Sequence, residues 1–464
     1  MKYHLITLGC QMNISDSERV AAVLEQMGYE RTENEHEANL LGMLACSVRQ
    51  KPIDKVYNKI SQWNREKNKR NLITFLSGCV LAADKDKLLK QFDIIFPMSE
   101  LNQFPDMIRS YGIVNAASLK APKPVMPKNE HIFDLWQIKP KYESTYEAFV
   151  PIQNGCDKFC TYCAVPYTRG REVSRPSAEI VDEVRQLVNQ GYKSITLLGQ
   201  NVNSYGLDKP GEEVGFAGLL RQIGEYGQQS GEEFWVYFTS PHPQDMTREV
   251  IEVIAQYPCL AKQIHLPMQS GDEKILIKMN RKHSMEKYRE IVTDIRELLP
   301  TATLFTDIIV GFTGEGEAEY KHTEDAFREF KFNMAYIAMY SPRPGAASYR
   351  WQDDVPQDTK KQRYHDLSEV MKQYTREYND SMVGQTIRLL VNGSDRKTGL
   401  STGLTEGKIQ VRLNRKAPEL MGQIIDVKIT SAADFSMSGE IVAPLETTAH
   451  LNLGGGETFE EQRR

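Results

Sequence analysis

The hydrophobic positions of the first 112 residues follow two alternating periods. Short apolar runs look like buried strands, and between them lie segments with helical spacing. Alternation of strand and helix predicts a small parallel α/β sheet over residues 1–112. The predicted strands are Tyr3–Leu8, Asn39–Leu44, Leu72–Leu76 and Phe92–Pro97, and the clearest helices are Ser15–Met27 and Ile53–Asn68.

The alternation stops after residue 112 and resumes at residue 146 with longer helices. Residues 113–145 include the Pro- and Lys-rich stretch Ala121–Lys128, which predicts a linker. Residues 146–379 hold six β/α units, which predict a partial (β/α)6 barrel with functional groups at the carboxyl ends of its strands. The predicted strands are Ala148–Gln153, Ser194–Gly199, Trp235–Thr239, Gln263–Pro267, Thr303–Val310 and Ala335–Tyr340.

A third pattern begins after the helical stretch Gln357–Asn379. Residues 380–443 contain short β-prone runs broken by Gly and Asn, which predict a small all-β barrel. Residues 444–464 combine three consecutive glycines with mixed charges and predict a disordered tail. The whole chain is therefore expected to be an α/β protein with an all-β unit at its end.

Composition and charge narrow the function classes. The formal net charge of −5 gives no global positive field, although a basic cluster occurs at Arg396, Lys397, Arg412, Arg415 and Lys416. We call these five residues the basic patch. No apolar run is long enough to cross a bilayer, and the first residues lack a secretory cleavage site. These features predict a cytoplasmic protein without a membrane partner.

Seven cysteines at low density indicate reduced thiols rather than disulfides. Cys156, Cys160 and Cys163, the central triad, have the spacing C-x3-C-x2-C, and soft thiolates select zinc or iron–sulfur. No fourth Cys or His lies nearby, and three thiolates on a four-iron cluster leave one iron open for chemistry. Structural zinc, or burial of the cysteines as small hydrophobic side chains, is the alternative.

Three more cysteines each follow a predicted strand. Cys10, Cys46 and Cys79, the N-terminal triad, are distant in sequence, but the ends of parallel strands meet at one sheet edge. Their thiolates are therefore expected to converge on a second cluster, with plain burial as the alternative. Cys259 belongs to neither triad and is expected in the core.

The loop of the central triad resembles the signature of radical S-adenosylmethionine (SAM) enzymes, including Tyr162 before its last cysteine. Nearly the whole chain resembles the methylthiotransferase family, and residues 380–443 resemble the TRAM domain, an RNA-binding barrel. Ala45 and Thr313 depart from the family's usual Thr and Pro without removing a ligand. The matching motifs are Gly9–Asn13, Cys46–Arg49, Gly78–Val80, Val165–Arg171, Ser174–Pro176, Leu198–Gly206, His265–Gly271 and Tyr340–Gly345.

The resemblance implies two [4Fe-4S] clusters and two uses of SAM. One SAM molecule methylates sulfur at the N-terminal triad, and the other is cleaved at the central triad to give a 5′-deoxyadenosyl radical. Gln11–Asn13 and Gly199–Asn203 are similar to the branch that modifies C2 of N6-isopentenyladenosine beside the tRNA anticodon. Alternatives are the branches for threonylcarbamoyl-adenosine in tRNA and a ribosomal-protein aspartate, or a non-enzymatic Fe–S RNA-binding module.

The resemblance also implies contacts and partners. The expected partners are tRNA and an electron donor such as flavodoxin or ferredoxin. The protein itself is expected to be a monomer. Cofactor contacts are expected from strand ends of the barrel. These candidates are Tyr162, Gln200, Asn201, His265, Gln269, Asp307, Gly311 and Arg343.

Overall fold

The computed structural model describes residues 1–46, 50–67, 69–111 and 132–442. Its first unit, the N-terminal sheet, has strands β1 (Lys2–Leu8), β2 (Glu30–Arg31), β3 (Leu40–Cys46), β4 (Ile73–Cys79) and β5 (Ile94–Ile95), and helices α1 (Gln11–Gln26), α2 (Gln50–Lys67), α3 (Ala82–Leu88) and α4 (Phe104–Ser110). The strand order is β2-β1-β3-β4-β5, and every pairing is parallel. All seven residues of β3 are buried because helices cover both faces of the sheet. The predicted parallel α/β sheet is confirmed.

The stretch interpreted as a linker is helical over part of its length. Helix α5 (Ile132–Gln137) buries Ile132, Leu135 and Trp136 against the core of the N-terminal sheet. The i, i+3, i+4 spacing of these three residues places them on one helix face, a signal that the Pro-rich composition upstream obscured. Residues 113–131 and the tail 444–464 lie outside the described residues.

The second unit, the partial barrel, spans residues 147–381. In chain order it contains strands β6 (Glu147–Pro151), β7 (Gln153–Asn154), β8 (Val173–Ser174), β9 (Ser194–Leu198), β10 (Trp235–Phe238), β11 (Gln263–His265), β12 (Thr303–Val310) and β13 (Met334–Met339), and helices α6 (Val165–Arg169), α7 (Ser177–Asn189), α8 (Phe216–Ser230), α9 (Arg248–Gln256), α10 (Glu273–Lys278), α11 (Met285–Leu298), α12 (Glu317–Phe330) and α13 (Gln357–Ser381).

The six predicted barrel strands are all present and run parallel. They form two three-stranded sheets, β10-β9-β6 and β11-β12-β13. A bridge between Val236 and Leu260 joins the two halves. Within the described ranges, β6 and β13 have no strand partner at their outer edges, so the barrel is open on that side, as the count of six β/α units predicts.

The N-terminal sheet packs against the open side of the partial barrel. Ser15 on α1 donates a hydrogen bond from Oγ to the carbonyl of Phe149 on β6, at 3.3 Å. Met12 packs with Phe149 and Leu198 in a small buried cluster. Helix α1 begins directly after Cys10, so this contact brings the N-terminal triad next to the barrel.

The third unit, the C-terminal barrel, is closed. Its strands are β14 (Thr386–Ser394), β15 (Ser401–Thr405), β16 (Gln410–Leu413), β17 (Ile424–Ala432) and β18 (Ser436–Ile441), in the order β14-β15-β16-β18-β17. Closure leaves no exposed strand edge, and the interior is filled by aliphatic side chains and Met437. The predicted all-β barrel is confirmed.

The C-terminal barrel docks on the amino ends of the partial-barrel strands. Thr303, the first residue of β12, donates from Oγ1 to the carbonyl of Gly407 at 2.8 Å. Tyr237 on β10 donates its hydroxyl hydrogen to the carbonyl of Glu406 at 3.1 Å, and Lys408 Nζ lies 4.1 Å above the Tyr237 ring. The carboxyl ends of the same strands are left for the cysteine loops.

Candidate cluster and cofactor site

The central triad lies on the loop between β7 and α6. Gly155 opens this loop with φ +84°, and a Cβ there would lie 2.0 Å from the carbonyl oxygen of Arg171, so only glycine fits. Thr161 N–H donates to Met279 O at 2.9 Å, and Asn280 Nδ2 donates to Phe159 O at 2.9 Å. These bonds fasten the loop to the end of α10 and orient its cysteines.

The surroundings of the central triad disfavour free thiolates. Burial, followed by the neighbouring thiols, raises the pKa of Cys156 and of Cys163 to about 12. A metal cluster must therefore displace protons when it binds. Arg281 lies buried beside the middle cysteine of the triad and donates from Nη1 to Cys160 Sγ at 3.6 Å. This guanidinium offers the positive charge that ligated thiolates require.

The strand order brings the cysteines of the N-terminal triad to one edge of the sheet. Cys46 and Cys79 are register partners at the ends of β3 and β4, and Leu8 of β1 pairs with Ala45. A hydrogen bond between the Cys79 thiol and the Cys46 side chain, followed by burial, raises the pKa of Cys79 well above its ordinary value. Desolvation by surrounding protein, together with Cys79, raises the pKa of Cys10, although this residue keeps an exposed face. The three side chains are thus close enough to influence one another.

Two features of the N-terminal triad fit an iron–sulfur cluster. Asn13, fully buried, accepts a hydrogen bond from Cys10 Sγ at 3.3 Å, and its Nδ2 has no hydrogen-bond partner among the described residues. Such a donor beside three thiols suits a cluster sulfur. Gly78 has φ +99°, and a Cβ there would lie 2.6 Å from Ala45 O, so the backbone before Cys79 is tightly packed.

The spacing of both triads differs from that of a single-ion site. In the part of the chain that the structure describes, no three or more His, Cys, Asp or Glu side chains converge as a single metal ion would require. Cysteines that each bind a different iron of one cluster do not have to meet at one point.

The two triads lie in neighbouring loops. A Cβ on Gly345, in the loop after β13, would lie 3.5 Å from Leu81 Cδ2 and 3.8 Å from Ala164 Cβ. Leu81 follows Cys79 by two positions, and Ala164 follows Cys163 directly. Arg169 of the partial barrel donates from Nε to Cys79 Sγ at 3.0 Å. The carboxyl end of the barrel and the sheet edge thus border one shared space.

Three of the predicted cofactor contacts directly follow the carboxyl ends of β9 and β12. Gln200 Oε1 accepts a hydrogen bond from Gly155 N–H at 2.5 Å, which ties the end of β9 to the cysteine loop. Asn201 donates to Asp245 Oδ2 at 3.0 Å, and its buried Oδ1 has no partner within the described ranges. Gly311, at φ +71°, packs its Cα face against the Lys360 stem, which a Cβ would strike at 2.3 Å.

Other predicted contacts lie along the inner surface of the barrel. His265 Nε2 is 3.3 Å from Asp307 Oδ2, although this pair lacks hydrogen-bond geometry. The centroid of the His265 ring is 5.7 Å from that of Tyr336, a residue that is 57% exposed. Gln269 has φ +74° and donates its N–H to Asp307 O at 2.8 Å.

Tyr162 and Arg343 occupy different surroundings. Tyr162 packs edge-on against Phe312, with ring centroids 6.4 Å apart, and burial followed by Cys160 raises its pKa well above the ordinary value. Arg343, in the loop after β13, faces the N-terminal sheet. Its pKa is lowered by desolvation, against the opposing influence of Asp84 and other N-terminal groups that include Cys46. Arg343 thus lies toward the N-terminal triad.

The chain matches three known protein families along its length. Residues 2–97 match the description Uncharacterized protein family UPF0004, residues 150–327 match the Radical SAM superfamily, and residues 380–442 match the TRAM domain. A tRNA-2-methylthio-N(6)-dimethylallyladenosine synthase of Clostridium perfringens is 39% identical over 94% of this chain and 96% of its own length. One of Clostridium botulinum is 38% identical over 95% and 96%. The chain belongs to this family of radical SAM methylthiotransferases.

Solved structures agree on the fold. The radical SAM methyltransferase TsrM of Kitasatospora setae has a TM-score of 0.53 at 14% identity, covering 74% of this chain and 73% of its own. The cobalamin-dependent radical enzyme OxsB has a TM-score of 0.50 at 11% identity, covering 80% of this chain and 56% of its own. At such identities only the fold is comparable.

Family membership settles the coarse chemistry. The protein is an enzyme, and the radical SAM range implies one [4Fe-4S] cluster and SAM. The central triad lies inside this range. No helix of the described ranges is long and apolar enough to span a membrane.

Some residues of this methylthiotransferase site escaped sequence reasoning. Arg281 donates to Cys160 of the central triad, Arg169 donates to Cys79 of the N-terminal triad, and Asn13 accepts from Cys10 of that same triad. Arg169 and Asn13 fall inside motifs that carry the family resemblance, which was the available signal. The role of Arg169 depends on a contact with a residue 90 positions away in the sequence. Hydrophobic periodicity does not report contacts over such a separation.

Proposed function

We propose that this protein inserts a methylthio group at C2 of N6-isopentenyladenosine next to the tRNA anticodon. The observation that carries the proposal is the approach of two cysteine triads around one space, with Arg169 of one unit bonded to Cys79 of the other. One triad serves radical formation, and the second, which we assign to an auxiliary [4Fe-4S] cluster, serves sulfur. A single-cluster enzyme would not need the second set of thiols.

The protein's contribution is to bind, orient and exclude water. When bound, the two clusters and SAM supply a radical able to take hydrogen from an unactivated carbon, and sulfur for the new bond. The loop bonds to Met279 and Gln200 hold the central triad in place. The N-terminal sheet covers the open side of the barrel through α1, which limits water at the reacting carbon. Holding the reacting groups in a fixed orientation favours the intended reaction over competing ones.

Asn201, Gln269, His265 and Asp307 are the groups that we propose for the cofactor. Asn201 Oδ1, buried without a hydrogen-bond partner in the described chain, calls for a polar ligand. His265 and Asp307 face each other inside the barrel and offer a donor and an acceptor. Arg343 is a candidate for binding a carboxylate or phosphate between the two triads.

The basic patch supports RNA as the substrate. Its five residues are exposed, and the approach of Gly399 to Lys416, where a Cβ would lie 3.1 Å from Lys416 Cε, brings its two segments together. The C-terminal barrel and the cysteine loops lie at opposite ends of strands such as β12, whose eight residues span about 25 Å. An extended polyanion can cover that distance, whereas a small substrate cannot.

Similar proteins indicate which branch of the family this chain belongs to. Relatives named for dimethylallyladenosine in tRNA are 37–39% identical to this chain over nearly its full length. This favours the isopentenyladenosine branch over threonylcarbamoyl-adenosine or a ribosomal-protein aspartate. An external donor such as flavodoxin or ferredoxin is expected to supply the electron.

Mass spectrometry of tRNA nucleosides tests the proposal. A strain lacking the gene should lose the methylthio form of isopentenyladenosine, and the intact gene should restore it. Cys79→Ala should fail to restore it, whereas Cys259→Ala, which alters a buried cysteine outside both triads, should succeed. Loss of the threonylcarbamoyl form instead, or full rescue by Cys79→Ala, would contradict the proposal.

A further inference from the structure

One arginine joins the two cluster regions through a buried contact. Arg169 ends the short helix α6, six positions after Cys163, and is only 7% exposed. It donates from Nε to Cys79 Sγ at 3.0 Å, from Nη2 to Asp16 Oδ2 at 2.6 Å and from Nη1 to Asn154 Oδ1 at 3.2 Å. Each nitrogen of the guanidinium therefore has a different acceptor, and two of the three belong to the N-terminal sheet.

The contacts of Arg169 place a positive charge beside the Cys79 sulfur. The guanidinium is positively charged at any pH that the protein experiences. Asp16 accepts from a different nitrogen of the same guanidinium and is 3% exposed, so it offsets part of the positive charge. The net effect at Cys79 is an N–H donor and the positive end of an ion pair. In a buried setting such interactions are stronger than in water.

Hydrogen bonds and positive charge at cysteine sulfur favour the more negative, reduced state of an iron–sulfur cluster. We propose that Arg169 is a positioning residue of the auxiliary cluster, which it holds at Cys79 from the barrel side and whose reduction potential it raises. This inference rests on the proposed function, because it requires a cluster at the N-terminal triad. The residue thereby makes the properties of that cluster depend on docking of the two units.

A purely structural role makes a different prediction. If Arg169 only pairs with Asp16 across the interface, removing either partner should weaken the protein in the same way. In the present proposal the two changes act oppositely. Arg169→Met removes the donor and the charge, so the potential falls, whereas Asp16→Asn leaves the donor and removes the offsetting carboxylate, so the potential rises.

The test uses the full chain with the central triad replaced by alanine, so that only the auxiliary cluster can form. After anaerobic reconstitution with iron and sulfide, iron content is measured and the cluster is titrated with dithionite under electron paramagnetic resonance. We expect Arg169→Met to lower the midpoint reduction potential of the cluster by at least 59 mV, which is a tenfold change in the equilibrium of a one-electron reduction. Asp16→Asn should shift it positively.

Arg175→Met is the matched control. Arg175 is also a buried arginine of the partial barrel, 6% exposed, and it pairs with Glu179 and Glu183 rather than with a cysteine. Its replacement should leave the midpoint unchanged. A control that shifts as far as Arg169→Met would overturn the inference.

The outcomes separate the inference from the proposed function. If the chain without the central triad binds no iron, the auxiliary cluster itself is refuted. If iron binds and Arg169→Met leaves the midpoint unchanged, only the role of Arg169 is refuted. If Arg169→Met binds no iron, Asp16→Asn decides, since a positive shift supports the role and an unchanged or negative midpoint refutes it.

Discussion

Replacing Gly78 with alanine should weaken the edge of the sheet that carries the N-terminal triad. Gly78 adopts φ +99°, a left-handed conformation that costs a residue with a Cβ about 1–2 kcal/mol. In addition, the Cβ would lie 2.6 Å from Ala45 O and 3.0 Å from Ala45 N. These atoms belong to the paired strand β3 and cannot rotate away, so crowding should add about 1–3 kcal/mol.

Gly28→Ala separates the two contributions. Gly28 belongs to the same unit and has φ +84°, but nothing lies within 4 Å of a Cβ placed there. It therefore carries the backbone cost alone. The difference between the two variants, about 2 kcal/mol at the middle of the range for crowding, isolates the packing around Cys46 and Cys79.

Hydrogen exchange followed by mass spectrometry measures this difference locally. Peptides covering β3 and β4 should exchange about 30-fold faster in Gly78→Ala than in Gly28→Ala, because 1.4 kcal/mol corresponds to a factor of ten. Iron uptake by the N-terminal triad should fall in Gly78→Ala and persist in Gly28→Ala. Equal exchange and equal iron uptake in the two variants would refute the reasoning about crowding.

Three further perturbations test other parts of the molecule. Alanine at Arg412, Arg415 and Lys416 should lower tRNA affinity and reduce the slope of log K against log salt by up to about two to three. Arg415, 3.5 Å from Glu419, should contribute least, and an unchanged slope would remove the basic patch from the interface. Glu18→Gln should gain stability over the parent by up to about 3 kcal/mol as pH rises from 5 to 8. Burial raises the pKa of Glu18 from 4.5 to about 7, so the contribution of Glu18 to the stability of the parent is complete below pH 4.5 and is lost as pH passes 7. Melting temperatures of parent and variant at pH 5 and pH 8 check this. The same pH dependence in both proteins would contradict it. Gln200→Ala removes the acceptor of Gly155 N–H and should speed loss of iron from the central triad to a chelator, with equal rates arguing against that anchor.

Much of the fold followed from local patterns. The six barrel strands and the all-β unit were predictable because periodicity and turn residues act over short distances. Helix α5 was missed because only three buried positions, Ile132, Leu135 and Trp136, mark it within a polar stretch. A six-residue helix is held by packing rather than by intrinsic propensity, and its partners lie elsewhere in the chain.

The candidate site divides in the same way. Cysteine spacing alone predicts the central triad, since eight consecutive residues contain all three thiols. The N-terminal triad needed one further rule, that ends of parallel strands share an edge, and the register of Cys46 with Cys79 agrees with it. Arg343 had been expected only as a binder of carboxylate or phosphate, and its orientation toward the N-terminal sheet could not be anticipated.

The sequence by itself determined the elements, the two sets of thiols and the family. Only the tertiary structure decided how the sets meet, because that depends on α1 docking at β6 and on one guanidinium crossing between units. The contact of Arg169 with Cys79 joins residues 90 positions apart. Such a contact arises from the packing of whole units, and local sequence patterns carry no record of it.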